Sequence, residues 1–224
     1  MARNRDPFTQ ALSSLRERIQ SGQLAGGAPV IVQDEARRLH LSTTPVREAL
    51  ARLSGEGLVE RATAGGYVTL RLDATAARDR YAVQGQFLHF ALELTADALG
   101  SIRPPAPAFD PASPGPAVGR LFARIVRSTG NHVLWTGFDR IAPQLEVLMR
   151  FEAELFGDLV LEASNLYATY ADAHGSGFAE AVKRFHVRRM AASGALSALA
   201  HGARLPTGEG QSRDVAPPSP LAER

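Results

Sequence analysis

The chain has 224 residues, of which 45% are hydrophobic and 21% charged, a globular composition that leaves room for one large domain or two small ones. It has no cysteine, which excludes disulfides and thiolate metal sites, and no apolar run near the roughly 20 residues of a membrane helix. The net charge of +2 lies in residues 1–73, which hold 10 Lys and Arg against 8 Asp and Glu, so a nucleic-acid partner is weakly favoured at this end of the chain.

The first third of the chain predicts three short helices. Phe8, Leu12, Leu15 and Ile19 recur at helical spacing, which is one face of an amphipathic helix ending near Gly22. A short extended stretch and two further helices follow. The extended stretch covers Pro29 to Val32, the second helix about Gln33 to Leu39, and the third about ten residues capped by Ser42 or Thr44, with Pro45 in its first turn.

A β-hairpin is predicted after the third helix. Leu58 to Arg61 and Tyr67 to Leu70 have the composition of strands, and the link between them, Ala62 to Gly66, contains the Gly-Gly pair that a hairpin turn favours. Three helices followed by a hairpin is the element order of a winged helix-turn-helix. We therefore assign residues 1–72 to a DNA-binding domain of this type.

From Asp73 onward, the pattern predicts only helices. Asp73 caps a long helix that ends at Gly100, and the proline-rich segment 101–117 interrupts the pattern. The later helices are predicted at about Val118 to Ser128, from Asn131 onward with Pro143 starting or kinking another helix, at Leu159 to Ala173 and at Phe178 to Ala200. We therefore predict a mainly α fold, with an all-α helical bundle at 73–204 for dimerisation and effector binding, and a disordered tail at 205–224.

One run of residues is specific enough to suggest a family. It reads Leu-Ser-Thr-Thr-Pro-Val-Arg-Glu-Ala-Leu over residues 41–50, followed by Leu53 and by Glu-Gly-Leu-Val over 56–59. This run resembles the GntR family of bacterial regulators, whose hallmark is Ser-Arg-Thr-Pro-Val-Arg-Glu-Ala-Leu closed by Glu-Gly-Leu-Val. The resemblance covers about residues 8–71. It implies a transcription regulator, expected to be a repressor, that binds an inverted-repeat operator in double-stranded DNA as a homodimer.

The third helix carries the main predicted DNA contacts. The N-terminal end of a recognition helix faces base edges in the major groove, so Thr43 and Thr44 are predicted to contact phosphate. Arg47 follows the buried Val46 and therefore points outward, with forked donors that can read guanine O6 and N7. The alternatives are that Arg47 is only a solvated charge and that the two threonines are only caps.

Two further positions are predicted to contact DNA, and one position differs from the family's usual residue. Gln33 stands where the resemblance implies a polar DNA contact, and Gly65 allows the wing backbone to approach DNA, although turn geometry explains this glycine equally well. Thr43 stands where the family usually has an arginine that contacts DNA. We therefore expect a different operator and a weaker affinity.

The helical part resembles the FadR-type subfamily, whose ligand domain is called FCD. That resemblance implies a metal site, made by an acid and a histidine four residues apart and by two later histidines, which helps to hold a carboxylate effector. The matching positions here are Val118, Phe122, Tyr167 and, within 185–189, only His186. One histidine cannot hold a divalent ion, so we predict no metal and no cofactor.

The same substitutions predict a more apolar effector pocket. Where the family often has an arginine and a glutamate on the first bundle helix, this chain has Gln84 and Leu88. We take Gln84, Phe122, Tyr167 and His186 as candidate effector-binding residues. We expect a neutral or largely apolar effector, or one that brings its own charge to Gln84 or a nearby arginine, because an unpaired buried carboxylate is costly. Simple core packing of the aromatic residues, and an ordinary helix position for His186, are the alternatives.

These observations favour a ligand-responsive regulator, in which an effector shifts the spacing of the two DNA-binding heads of a dimer. The alternative keeps DNA binding but leaves the helical domain, without effector or metal, only to dimerise. An enzyme is not predicted, because the sequence has no cysteine nucleophile, metal-spaced His/Asp set, phosphate-binding glycine loop or G-x-S-x-G motif. The polar N-terminus is unlike a signal peptide, so we expect a cytoplasmic protein without a membrane partner.

Overall fold

The computed structural model describes residues 6–63, 65–96, 103–172 and 177–203. These residues form nine helices and one small sheet, which confirms the predicted mainly α fold with an N-terminal winged helix-turn-helix. None of the described helices is long and apolar enough to cross a membrane. The elements are α1 (Pro7–Gln20), β1 (Pro29–Val30), α2 (Val32–Leu39), α3 (Thr43–Gly55), β2 (Val59–Arg61), β3 (Tyr67–Thr69), α4 (Ala74–Ala96), α5 (Pro114–Ser128), α6 (His132–Met149), α7 (Glu152–Leu155), α8 (Leu159–Ala171) and α9 (Gly177–Ala200).

The three N-terminal helices pack around a small apolar core. Leu15 of α1, Ala36 of α2 and Leu50 of α3 are buried there, at the helical spacing that the sequence predicts. Their removal from water is the main favourable term in holding the three helices together. The helix-turn-helix itself closes at His40, which adopts the left-handed conformation with φ 55° between α2 and α3.

Two glutamates join these helices by ion pairs. Glu35 of α2 is buried and pairs with Arg18 of α1. Glu56 follows α3 directly, and its two carboxylate oxygens lie 2.9 and 2.7 Å from Nη2 of Arg16 on α1. Arg52 of α3 also donates to Glu56, at 2.9 Å. The end of α3 is therefore tied to α1 by charge as well as by core packing.

The sheet forms the wing and has the strand order β1-β3-β2, with both pairs antiparallel. Val59 pairs with Thr69 and Arg61 pairs with Tyr67, so the hairpin turn falls on the predicted Gly-Gly pair. Pro29 stands on the edge strand β1, where its missing N–H does not interrupt a central ladder. The two antiparallel pairs thus form the wing, with its hairpin turn between β2 and β3.

The helical bundle is built around α4, which packs against α9, α5 and α6. The residues on the buried side of α4 recur at spacings of 4 and 3, which is one face of a helix. They are Ala77, Tyr81, Gln84, Leu88 and Ala91. This face meets a core rich in aromatic side chains, so the bundle has a hydrophobic centre of its own. That core includes Phe122, Phe138, Tyr170, Phe178 and Phe185.

Three boundaries differ from the sequence prediction. α5 begins at Pro114 rather than near Val118, because a proline in the first turn lacks only an N–H that the helix leaves unused. α6 is one continuous helix in which Pro143 is an interior residue, and α7 was not predicted. The predicted helix end at Gly100 and the predicted tail at 205–224 lie outside the described residues.

Candidate nucleic-acid interface and bundle cavity

The recognition helix α3 buries one side and presents the other to solvent. Val46 and Leu50 lie on its buried side, whereas Thr44 and Arg47 are exposed and Thr43 is half-buried. Ser42 occupies the N-cap position in extended backbone, but its side chain makes no capping hydrogen bond. The alternative prediction that Thr44 is the cap is wrong, because Thr44 is already inside the helix.

Arg47 differs from most of the other described arginines of the winged helix in its surroundings. Five of them form ion pairs with carboxylates of the same unit, namely Arg16, Arg18, Arg37, Arg38 and Arg52. Within the described residues, Arg47 forms neither an ion pair nor a side-chain hydrogen bond. Its guanidinium therefore keeps all five donors available to a ligand that approaches α3.

Other residues that are predicted to contact DNA lie in the first turns of α2 and α3. Gln33 is exposed in the first turn of α2, and Thr44 is exposed in the first turn of α3. The first N–H groups of a helix have no partner within it, so both turns offer donors to an anion. The exposed side of α3 near its start thus combines hydroxyl, amide and guanidinium donors.

The wing turn depends on its two glycines for backbone geometry. Gly65 and Gly66 have φ of 91° and 86°, a region that other residues rarely adopt. Gly65 donates its N–H to the Ala62 carbonyl at 2.9 Å, and the space beside both glycines is open. Arg61 ends β2 beside this turn, exposed and without an ion pair among the described residues. Sequence reasoning missed Arg61, although a basic residue next to a hairpin turn was a visible signal.

The bundle encloses a cavity of about 130 Å³ between α4, α5, α6 and α9. Two of the four predicted effector residues line it, Gln84 and Phe122, together with Val118. Its other lining side chains are mainly aromatic or aliphatic, with three carboxylates, those of Asp139, Glu146 and Glu152. They include Tyr81, Trp135, Phe138, Leu145, Glu146, Met149, Glu152 and Phe185.

His186 adjoins this cavity, whereas Tyr167 does not. The His186 ring stacks on the Phe122 ring with 5.6 Å between centroids, and His186 itself lines a separate open groove between α4 and α9. Tyr167 packs against Phe109 at 4.9 Å, and its hydroxyl donates to the Ala117 carbonyl at 2.8 Å. Three of the four candidate effector residues are therefore neighbours, and Tyr167 lies apart from them.

The hydrogen bonds of His186 determine its tautomer. Nδ1 lies 2.7 Å from the Val182 carbonyl, which can only accept, so Nδ1 carries the proton in the neutral ring. Nε2 then accepts, so the Gln84 amide, whose oxygen lies 3.2 Å from Nε2, must turn its NH₂ group toward the ring. Burial lowers the pKa of His186 to about 4, while its hydrogen bond to Val182 acts in the opposite direction.

The positions that match the family's metal ligands have apolar surroundings. Val118 and Phe122 lie one turn apart on α5 and offer no donor atom to the cavity. Within the described ranges, no three His, Cys, Asp or Glu side chains are grouped as metal ligands. The absence of a bound metal stays a prediction.

A buried ion pair closes one end of the cavity. Arg189 of α9 is 2% exposed and forms a bidentate pair with Glu152, with N–O distances of 2.9 and 2.7 Å. Burial opposes the charge of Arg189, but the carboxylates of Glu152 and Glu162 hold its pKa above the ordinary value. Sequence reasoning missed this pair, although Arg189 follows His186 by three residues and so shares its buried helix face.

Comparison with known proteins supports the winged helix directly. Residues 8–68 match the model of a family described as bacterial regulatory proteins, gntR family. Comparison by sequence with curated proteins finds no match. The first unit of the chain is therefore a GntR-type DNA-binding domain, as its motif predicts.

Two solved structures share the fold over most of the chain. E. coli McbR/YncC has a TM-score of 0.64 at 16% identity, covering 84% of this chain and 97% of that one. A transcriptional regulator GntR from Rhodococcus sp. RHA1 has a TM-score of 0.62 at 16% identity, covering 83% and 96%. Similarity at this identity shows the fold alone, so the FadR-type and FCD assignments of the bundle stay predictions.

The buried, neutral His186 predicts that stability falls in mild acid. Because its folded pKa of about 4 is below the ordinary 6.5, the unfolded chain binds the extra proton between these values, and stability is lost as pH falls from about 6.5 to about 4. The full effect is about 3 kcal/mol. Urea unfolding at pH 7 and pH 5 should show a smaller drop for His186→Gln than for the wild type. His132→Gln, at an exposed histidine, should keep the wild-type drop, and an equal drop in all three proteins would contradict the prediction.

Proposed function

We propose that this DNA-binding regulator is a cytoplasmic repressor that binds an inverted-repeat operator as a homodimer and responds to a small effector. The observation that carries the proposal is the unpaired, exposed Arg47 on the recognition helix of a domain that matches the GntR family. We keep the division into a DNA-binding domain at 1–72 and a dimerisation and effector domain at 73–204. Nothing in the chain's motifs supports an enzyme.

In this proposal, α3 lies in the major groove and Arg47 reads a guanine through O6 and N7. Thr43, Thr44 and Gln33 bind phosphate at the starts of the two helices, where free N–H groups add donors. Gly65 lets the wing backbone come close to DNA, and Arg61 adds a positive charge beside it. Since Thr43 is shorter than the arginine that the family usually has there, Arg47 carries more of the sequence readout.

The outer side of α4 supports the homodimer. Val83, Phe90 and Leu94 are 41%, 45% and 38% exposed, although they are large and apolar. With Phe87, which is half-buried against the bundle core, they recur at spacings of 4, 3 and 4 on a side of α4 about 100° from the face that builds that core. A helix with apolar residues on both sides needs a second partner, and this pattern is that of a coiled-coil seam.

A second copy of the chain is the occupant that this seam fits best. In an antiparallel pair about a two-fold axis, Phe87 meets the partner's Phe90 and Val83 meets the partner's Leu94, so the same surface serves both subunits. The pairing joins two DNA-binding heads for two half-sites.

The cavity supports a small, uncharged effector. A cavity of about 150 Å³ lined by apolar side chains is large enough to hold benzene, and the cavity here is of similar size. Asp139, Glu146 and Glu152 line the cavity and would repel a carboxylate, and Arg189 is already paired with Glu152. Among the uncharged polar groups, Gln84 lines the cavity and His186 adjoins it.

The alternative function keeps the DNA-binding dimer but has no effector. The mutual hydrogen bond of Gln84 and His186 favours it, because both groups are satisfied without a ligand. A screen of small aromatic and polar metabolites by thermal shift separates the two readings. A reproducible rise in melting temperature with one uncharged class favours an effector, and no rise with any class favours dimerisation alone.

Loss of Arg47 should reduce specific DNA binding without unfolding the protein. The operator is first selected from random DNA, where an inverted repeat is expected. Arg47→Ala should then weaken binding to it by about 1–3 kcal/mol for each head, because one bidentate base contact is lost. Arg184→Ala removes the same charge from an exposed site on the bundle and serves as the control. Equal operator affinities in the two variants, measured by fluorescence anisotropy at one salt concentration, would remove Arg47 from the readout.

A charge in the α4 seam should dissociate the dimer. Phe90→Glu brings two carboxylates to the proposed two-fold interface, where they are desolvated and close to each other. Leu161→Glu, at a 71% exposed position on α8, is the matched control. Sedimentation equilibrium should give a dimer for the wild type and the control and a monomer for Phe90→Glu. A dimer of unchanged affinity in Phe90→Glu would exclude this surface.

The protein purified without chelator or metal resin should contain well below one equivalent of zinc, nickel or manganese per chain. A divalent ion needs several N or O ligands, and Val118 and Phe122 supply none. The double variant Val118→Asp with Phe122→His is a positive control, since it restores two donors beside His186. Elemental analysis that finds one equivalent in the wild type, lost on changing His186→Ala, would show that the metal site persists.

A further inference from the structure

The C-terminal half of α6 contacts the winged helix, and Gln144 makes the polar centre of that contact. Its side chain is 4% exposed. The amide nitrogen donates to the carbonyls of Glu56 at 3.0 Å and of Arg140 at 2.7 Å. The amide oxygen accepts from Nε of Arg80 at 2.6 Å. One side chain therefore joins α6, α4 and the turn that follows the recognition helix.

Gly57 makes room for this contact. It has φ of 73°, and a Cβ at this position would lie 2.4 Å from the amide nitrogen of Gln144. The glycine in the Glu-Gly-Leu-Val motif is thus required by its backbone conformation and by the close approach of the bundle. Because the carboxylate of Glu56 is held by Arg16, Gln144 binds a residue that is fixed to the frame of the winged helix.

The end of α1 provides a second attachment for the same helix. Arg150, which follows α6, donates from Nη1 to the Gln20 carbonyl at 3.3 Å. The Gln20 side chain donates to the carboxylate of Glu146. Val147 is buried in the core of the winged helix. Contacts at both α1 and the α3–β2 turn prevent the winged helix from pivoting about a single point.

The opposite face of α6 lines the bundle cavity. Phe138, Ala142, Leu145 and Met149 border the cavity and follow one another at spacings of 4, 3 and 4. At about 100° per residue, this row lies on the side of the helix opposite Gln144 and Val147. A change in the volume or shape of the cavity therefore acts on the same helix that holds the DNA-binding unit.

Pro143 lies between the two halves of α6. Having no N–H, it cannot bond to the carbonyl of Asp139, one turn earlier, so the helix bends more easily here than elsewhere. The residues that bind the winged helix follow this point, and the α6 residues that border the cavity lie on both sides of it.

We propose that Gln144 is a positioning residue that holds the winged helix against the bundle, and that α6 transmits filling of the cavity to the DNA-binding head. The second part rests on the proposed function of the cavity as an effector site. An occupant that displaces Leu145 and Met149 shifts Gln144 relative to Glu56 and so changes the orientation of α3. In a dimer, that change alters the spacing of two heads on an inverted repeat.

The Gln144→Glu variant tests the donor of the amide separately from its acceptor. A carboxylate keeps an acceptor for Arg80, but it has no N–H for the Glu56 carbonyl and repels it. Gln144→Met, similar in shape and without hydrogen bonds, is the second variant in case the first does not fold. Gln23→Glu makes the same chemical change at an exposed site of the winged helix and is the control.

The position of the winged helix is measured as a distance within one chain. Because the chain has no cysteine, Ser13→Cys on α1 and Leu161→Cys on α8 introduce a unique pair for spin labels. Labelled chains are diluted into unlabelled ones, and the distance distribution is recorded by double electron–electron resonance. We expect one narrow distribution for the wild type and Gln23→Glu, and a broader or shifted one for both Gln144 variants. Identical distributions in all of them would overturn the positioning role.

The cavity part of the proposal is tested from the far side of the bundle. Val118→Phe fills the cavity from α5, which does not belong to the winged-helix contact, and benzene is the soluble probe should that variant fail to fold. We expect both Val118→Phe and benzene to shift the distance distribution of the otherwise wild-type chain. In a chain that also carries Gln144→Met, we expect neither of them to produce this shift. Thermal stabilisation by benzene with an unchanged distance distribution would overturn transmission through α6.

Operator binding separates failure of this inference from failure of the proposed function. With the selected operator, we expect Gln144→Glu to lower affinity about tenfold, within the usual range of coupling between sites, and Gln23→Glu to leave it unchanged. If the wild type selects no DNA, the proposed function fails while the distance measurement still decides the role of Gln144. If it binds DNA and the Gln144 variants bind equally well with unchanged distances, the inference fails alone.

Discussion

Val147 of α6 is buried in the same core as Leu15 and Leu50 of the winged helix, while Leu145 is buried in another cluster with Tyr81 of α4 and Leu196 of α9 and borders the cavity. This two-sided burial of one helix segment is the constraint on which the rest of the arrangement depends. A helix packed on both sides cannot move relative to one core without disturbing the other, because protein interiors are close-packed. The DNA-binding unit and the cavity are therefore mechanically connected through α6.

The DNA-facing side of the winged helix follows from how its charges are distributed. Most of its described arginines form ion pairs with carboxylates of the same unit. Glu35 and Glu56 each pair with two of these arginines and help to hold α1, α2 and α3 together. Among the described residues, Arg47 does not belong to these ion pairs, because it lies on the exposed side of α3. A modest net charge of +2 is thus compatible with DNA binding, since the free donors are concentrated where the recognition helix meets its ligand.

The bundle combines an aromatic cavity with a few fully paired polar groups. Phe122 stacks on His186, Gln84 satisfies that histidine, and Arg189 pairs with Glu152. Burial also raises the pKa of Tyr81, whose hydroxyl donates to Glu152 at 3.5 Å, so the phenol stays neutral. Such an interior disfavours an unpaired charge, because each polar group would lose a partner if a charged ligand displaced it.

The sequence by itself determined the helices, the hairpin and the outward direction of Arg47, because each depends on local spacing, caps and turn residues. It also indicated that Val118 and Phe122 cannot bind a metal. Only the tertiary structure decided that Arg189 meets Glu152, that Tyr167 lies away from the cavity and that Gln144 reaches the Glu56 carbonyl. Arg189 and Glu152 are 37 residues apart in the sequence, and Gln144 and Glu56 are 88 residues apart. The geometry of such contacts is set by how whole helices pack. No local pattern encodes that packing, so a single sequence cannot reveal which distant side chains will meet.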